Sequence, residues 1–228
     1  MDGEGLAGIR ACVFDAYGTL FDVNSATAPY LLELGDQAAA LNRLWREKQL
    51  QYTWLRACQG NHADFWQVTA DALDFALRSL GIRCAGLHER LMQSYLALGP
   101  YPEAPETLAR LKNMGFKLAI LSNGTPDMLQ SAVENAKLAP LLDAIFSVEQ
   151  AGVYKPHPRV YRLAVDSLEL AADQICFVSS NAWDAYAASA FGMRVIWCNR
   201  TCQPAENLPG KPDIVLSSLS GMPSCLGW

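Results

Sequence analysis

The sequence predicts an α/β protein built on a doubly wound parallel sheet, with a small helical domain inserted after the first strand. Three observations predict it. Short apolar runs recur along the chain, each bounded by turn residues or polar clusters, and helix-period segments separate them. The alternation breaks once, between Asp22 and about Pro102, where apolar residues fall at helical spacing with almost no strand signal.

The runs Ile9 to Phe14, Phe116 to Leu121, Ile175 to Val178, Val195 to Trp197 and Ile214 to Leu216 read as buried strands, with Ala144 to Val148 a further short candidate. Helices are expected over Pro105 to Met114, Pro126 to Ala136, Pro158 to Leu168 and Trp183 to Phe191. Pro126 and Pro158 suit first-turn positions, and Gly115 and Gly192 suit helix ends. Strands alternating with helices give a Rossmann-like sheet covered on both faces. The interruption is too long for a loop. Leu41, Leu44, Trp45, Lys48, Tyr52 and Leu55 share one helical side, and Phe65, Val68, Ala72, Phe75, Ala76 and Leu80 suggest a second helix. The expected division is a catalytic core of residues 1–21 and 103–228 and a helical cap of residues 22–102, rejoining near Gly99-Pro100-Tyr101-Pro102.

Composition narrows the function classes. Lys plus Arg number 18 against 23 Asp plus Glu, and the net charge of -5 argues against a nucleic-acid-coating surface. An anionic substrate must then be attracted locally, by a few cations in a cleft. Cys12, Cys58, Cys84, Cys176, Cys198, Cys202 and Cys225 are odd in number and form no Cys-x-x-Cys pair, which points to reduced thiols and a cytoplasmic location. His62, His88 and His157 lack metal-ligand spacing, so no zinc site is expected. No stretch approaches the roughly 20 apolar residues of a membrane span, and the first residues lack the pattern of a signal peptide.

Four stretches carry the chemistry: Phe14-Asp15-Ala16-Tyr17-Gly18-Thr19-Leu20, Leu121-Ser122-Asn123-Gly124, Tyr154-Lys155-Pro156 and Val178-Ser179-Ser180-Asn181-Ala182-Trp183-Asp184. Asp15, Ser122 and Ser179 fall at the carboxyl ends of strands, where an open parallel sheet binds its ligand. Alone, Asp15 reads as a turn-capping aspartate. In this company it reads as a carboxylate nucleophile, with Gly18 permitting a sharp turn and Thr19 near enough to hold one carboxylate oxygen while the other attacks.

These stretches resemble the haloacid dehalogenase superfamily, and within it the L-2-haloacid dehalogenases, over essentially the whole chain. The resemblance implies that Asp15 is the nucleophile and that Lys155 keeps it ionised. It implies that Ser122 and Asn123 bind the substrate carboxylate, Asn123 also lying near the departing halide. Asp184, with Asn181 and Ser179, would orient or deprotonate the hydrolytic water. Arg46, in a segment similar to the family's cap helix, would receive the halide. Glu47 stands where relatives often carry a neutral amide. Tyr17, Leu50, Phe65 and Trp183 align with the apolar wall around the substrate, and Tyr161 with a position near the entrance or Lys155.

Tyr17 is the most discriminating position, because phosphatases of the superfamily usually place a second aspartate there as general acid. A halide leaves without a proton and needs only donors and positive charge. The expected activity is therefore cofactor-independent and metal-independent conversion of short L-2-haloalkanoates to D-2-hydroxy acids, through an aspartyl ester and with inversion at C2. The resemblance also implies a homodimer. The rival readings are a magnesium-dependent phosphatase of the same superfamily, or a catalytically silent binding protein.

Overall fold

The computed structural model describes residues 5–226. Six strands, β1 (Ala11–Phe14), β2 (Lys117–Ser122), β3 (Ala144–Ser147), β4 (Ile175–Ser179), β5 (Arg194–Cys198) and β6 (Ile214–Leu216), form one sheet in the order β3-β2-β1-β4-β5-β6. Every pairing is parallel. β1 lies in the middle, with Phe14 in register with Ile120 on one side and Val178 on the other. All residues of β1 and β4 are buried, alternate positions included, so both faces of the sheet are covered.

Eight α-helices accompany the sheet among the described residues. The short α1 (Leu31–Leu34), α2 (Gln37–Gln59), α3 (Phe65–Ser79) and α4 (Leu87–Leu96) lie between β1 and β2. α5 (Ala104–Asn113), α6 (Pro126–Asn135), α7 (Pro158–Leu168) and α8 (Ala182–Phe191) cover the sheet. Their ends follow local chemistry. Pro126 opens α6 behind Thr125, whose hydroxyl accepts from the Met128 N–H at 3.2 Å, and Gly192 closes α8 with a φ of 106° that side chains disfavour.

The helical segment joins the sheet by two chain crossings that run side by side. Asp22 N–H donates to the Gly99 carbonyl at 2.9 Å, and Tyr101 N–H donates to the Leu20 carbonyl at 2.8 Å. The outgoing and returning chains therefore brace each other directly beneath the turn that follows β1.

The buried side of α2 differs from the expected one. Ala38, Leu41, Trp45, Gln49 and Thr53 face inward, whereas Leu44, Lys48 and Tyr52 are only partly covered and Leu55 is exposed. The stripe is rotated because Gln49 and Thr53 are buried with their polar groups satisfied. The Gln49 amide donates to Thr69 Oγ1 at 2.7 Å and to the Tyr95 hydroxyl at 3.2 Å, while Thr53 Oγ1 donates to the Leu50 carbonyl at 2.7 Å. Trp45 Nε1–H donates to the Thr69 carbonyl at 2.9 Å and locks the same face to α3.

Replacing Gln49 by Leu, similar in size, removes the partner of two buried hydroxyls. The expected loss is about 1–3 kcal/mol of unfolding free energy in a urea titration. An unchanged midpoint and slope would show that this network does not hold α2.

Candidate active site

Asp15 directly follows β1, and its N–H continues the ladder by donating to the Val178 carbonyl at 2.9 Å. The carboxylate thus sits on the stiffest part of the sheet. The chain then closes on itself: the N–H groups of Thr19, Leu20 and Phe21 all converge on the Ala16 carbonyl, and Gly18 takes a φ of +91° to allow it. This turn brings Thr19 Oγ1 within 3.0 Å of Asp15 Oδ2. The Ser180 N–H donates to Thr19 Oγ1 at 2.8 Å and fixes its direction, so the hydroxyl hydrogen points at the carboxylate.

A hydrogen-bonded chain joins Asp15 to five more of the predicted residues. Asn181 Nδ2 donates to Asp15 Oδ2 at 2.8 Å, and Lys155 Nζ donates to Asp15 Oδ1 at 3.2 Å and to Asp184 Oδ2 at 2.8 Å. The Tyr161 hydroxyl donates to Asp184 Oδ1 at 2.7 Å. On the other side, Arg46 Nη2 reaches Asn181 Oδ1 and the Tyr17 carbonyl, both at 3.3 Å. Both oxygens of Asp15 therefore have donors, Oδ2 from Thr19 and Asn181 and Oδ1 from Lys155. Tyr161, in the first turn of α7, is fully buried, with its ring packed on Phe177 at 5.7 Å and its hydroxyl on Asp184, which Lys155 also holds.

Burial governs the electrostatics. The Lys155 side chain is 1% exposed and that of Asp184 0%. Burial alone would lower the Lys155 pKa, but Asp15 and Asp184 together outweigh it and raise the ammonium above its usual range. Burial raises the Asp184 carboxyl, as does the neighbouring Asp15, against the opposing pull of Lys155 and Tyr161. Burial also pushes Tyr161 and Tyr17 well above the ordinary phenol value, so both remain protonated.

Ser122, Asn123 and Ser179 hold backbone. Ser122 Oγ accepts from the Gly124 N–H at 3.2 Å, Ser179 Oγ from the Asn181 N–H at 3.1 Å, and Asn123 Oδ1 from the Lys155 N–H at 3.1 Å. The last bond places the lysine. Tyr17 lies against Phe65 and Tyr95, with ring centroids 5.7 and 5.4 Å apart, and its hydroxyl is buried without a partner among the described residues. Leu50 lines a cleft beside Arg46, Gly18 and Asn181. Trp183 stands apart from the polar chain, edge-on to Trp54 at 5.4 Å, above an apolar pocket that Tyr154 and Pro156 also line. Glu47 is exposed, on the outer part of the cleft.

Three residues escaped the sequence reading. Gln49 Oε1 accepts from Arg46 Nη1 at 2.8 Å, and Tyr95 closes the same network. Gln49 stands three places after Arg46 on a helix, a spacing that brings side chains together. Arg200 Nη2 donates to the Thr19 carbonyl at 3.0 Å, and its guanidinium lies 3.7 Å over the Tyr101 ring. Its signal is its place just beyond β5, at the same edge of the sheet as Asp15.

Among the described residues no group of His, Cys, Asp or Glu is arranged to hold a metal ion, and no helix is long and apolar enough to cross a membrane. The fold and the site define a hydrolase with a strand-end carboxylate paired to a buried lysine. The sequence profile of the haloacid dehalogenase-like hydrolases matches residues 9–192, and the chain belongs to that family. It is 48% identical over 219 residues to (S)-2-haloacid dehalogenase 1 of Pseudomonas sp. (strain CBS-3), covering 96% of each chain. A solved dehalogenase with an intermediate complex superposes with a TM-score of 0.94 at 45% identity, covering 96% of this chain and 97% of the other. The L-2-haloacid dehalogenase of Xanthobacter autotrophicus with chloropropionic acid covalently bound superposes with a TM-score of 0.87 at 38% identity, over 95% and 97% of the two chains.

Replacing Lys155 by Met leaves two buried carboxylates facing each other, and unfolding free energy at neutral pH should fall by about 3–5 kcal/mol. The raised Lys155 pKa fixes the sign of a second effect. Its stabilisation is complete below the unfolded lysine pKa of about 10.4 and is lost as pH rises through the higher folded value. Wild type should lose this stability in alkali, and Lys155→Met should lack that loss and recover part of its stability in acid. Equal pH–stability curves for the two proteins would contradict this.

Proposed function

We propose that the protein hydrolyses short L-2-haloalkanoates to D-2-hydroxy acids through a covalent ester on Asp15. The observation that carries the reading is the setting of Asp15: a carboxylate held by Thr19, Asn181 and Lys155, with Tyr17 in place of a second acid and Arg46 brought in from α2.

In this reading Asp15 attacks C2 as the carbon–halogen bond breaks on the opposite side, which inverts the centre. The halide departs unprotonated toward the Arg46 guanidinium, whose charge and fixed donors stabilise it. Gln49 and the Tyr17 carbonyl hold that guanidinium in place. Ser122 and Asn123 meet the substrate carboxylate, and the Asn123 amide nitrogen is available because only its oxygen is engaged. Tyr17, Leu50, Phe65 and Trp183 supply the apolar wall.

Water then adds to the Asp15 ester carbonyl, and the ester bond to the product oxygen breaks. Asp184 orients this water and takes its proton, and the raised Asp184 pKa makes it a stronger base than an exposed carboxylate. Lys155 holds Asp184 and Asp15 in line. Tyr161 acts as a positioning residue through its bond to Asp184, and Ser179 acts through Asn181.

The phosphatase reading is weaker on the same geometry. Such an enzyme would share Asp15, Lys155 and Asp184, but Tyr17 offers no carboxylic acid for an alkoxide leaving group. The reading also takes residues 22–102 as a cap that covers a core of residues 1–21 and 103–228. Family likeness supports a homodimer, and the seven free cysteines suit a cytoplasmic setting.

Halide release from each enantiomer of 2-chloropropionate tests the reaction type and its stereochemistry together. Chloride should come only from the L enantiomer, with D-lactate as product, and retained configuration or chelator-sensitive release of phosphate from a phosphomonoester would overturn the reading. Asp15→Asn should abolish turnover. Tyr161→Phe removes a bond that favours ionised Asp184, so the acid limb of the rate profile should move to higher pH. An unmoved limb with a lower rate would mean that Tyr161 only packs.

A further inference from the structure

The inner end of the active site opens on a cleft of about 820 Å³ between α2 and the loops after β1, β4 and β5. Gly18, Asn181 and Arg46 line its inner side, and Asn181 joins Arg46 to Asp15 by hydrogen bonds to both. Farther out stand Arg43, one turn before Arg46 on α2, and Arg200, against a single carboxylate, Glu47. Glu103 already pairs with Arg200, so Arg43 and Arg46 are the cations here without a carboxylate partner among the described residues, and these two against Glu47 are a local reversal in a chain of net charge -5.

Arg43 has the unused capacity: it is exposed and makes no hydrogen bond or ion pair among the described residues. Arg200 is bound to Glu103 and to the Thr19 carbonyl, and its unpartnered Nε–H is buried, so it flanks the cleft rather than offering a free donor to it. The other opening beside the site, lined by Trp54, Tyr154, Pro156 and Trp183, is apolar and offers a small anion little stabilisation.

We infer that this cleft is an anion passage with an outer binding site at Arg43, through which halide leaves after displacement and the haloacid carboxylate is drawn in. The inference rests on the proposed reaction for its biological meaning, but anion binding at the cleft is measurable without any turnover. The physical need is clear. A halide retained at Arg46 blocks the next substrate, and an exposed second cation one helical turn away lowers the barrier to its departure. Glu47, on the same cleft, limits how tightly the outer site holds the ion.

The test uses Arg43→Gln and Arg43→Glu, at an exposed position that folding does not depend on. Arg83→Glu, an exposed arginine elsewhere with the same change of net charge, is the control. Chloride line broadening by NMR on each protein without substrate reports binding. Bromide inhibition and the salt dependence of kcat/KM report passage. Arg43→Glu should weaken chloride binding and bromide inhibition about three- to tenfold and flatten the salt dependence, with Arg43→Gln between it and wild type. The control should match wild type. Identical behaviour of Arg43→Glu and wild type, or equal effects of Arg43→Glu and Arg83→Glu, would overturn the passage. If wild type released no halide from any haloacid, the proposed reaction would fall, while chloride broadening lost in Arg43→Glu would still uphold the anion site.

Discussion

One ammonium between two buried carboxylates organises this protein. Lys155 is almost wholly buried, and its Nζ lies 3.2 Å from Asp15 and 2.8 Å from Asp184. A buried charge is tolerated only when it is paired and hydrogen-bonded, and here each member satisfies that demand for the others. The three groups arrive from separate elements: Asp15 from β1, Asp184 from the first turn of α8, and Lys155 from the loop before α7. The sheet must therefore place the strand ends correctly before the charges can balance. Once balanced, they bind those elements together.

The unequal environments of the two carboxylates divide the chemistry. Asp15 receives two neutral donors on one oxygen and the ammonium on the other, which fixes the direction of its carboxylate. Asp184 is buried more completely, and its carboxyl is raised by that burial. A carboxylate aimed by its donors to attack carbon and a buried carboxylate with raised basicity that accepts a proton suit a displacement followed by hydrolysis. The helical segment between β1 and β2 adds what the core lacks. α2 carries Arg46 into contact with Asn181, and the buried Gln49, Thr69 and Tyr95 network keeps that helix from turning.

Much of this was legible in the sequence for identifiable reasons. Parallel strands buried along most of their length read as uninterrupted apolar runs, so β1, β2, β4 and β5 stand out within two residues of their ends, and the edge strand β6 keeps an apolar run although Val215 is exposed. Catalytic groups that sit at strand ends stand next to those runs, which made Asp15, Ser122 and Ser179 visible. The inward side of α2 was not legible, because hydrophobicity cannot show that Gln49 is buried and satisfied by residues 20 and 46 places away. Arg200 was hidden for a related reason: its partners, Thr19, Tyr101 and Glu103, are distant in sequence and only the closed fold assembles them.

The central claim is that an Asp15 oxygen ends in the product and a solvent oxygen replaces it. With enzyme in excess over L-2-chloropropionate in ¹⁸O water, the peptide containing Asp15 should gain one heavy oxygen while the first lactate formed carries none. Lactate labelled from the start, with an unlabelled Asp15 peptide, would mean that water attacks C2 directly and would contradict the account.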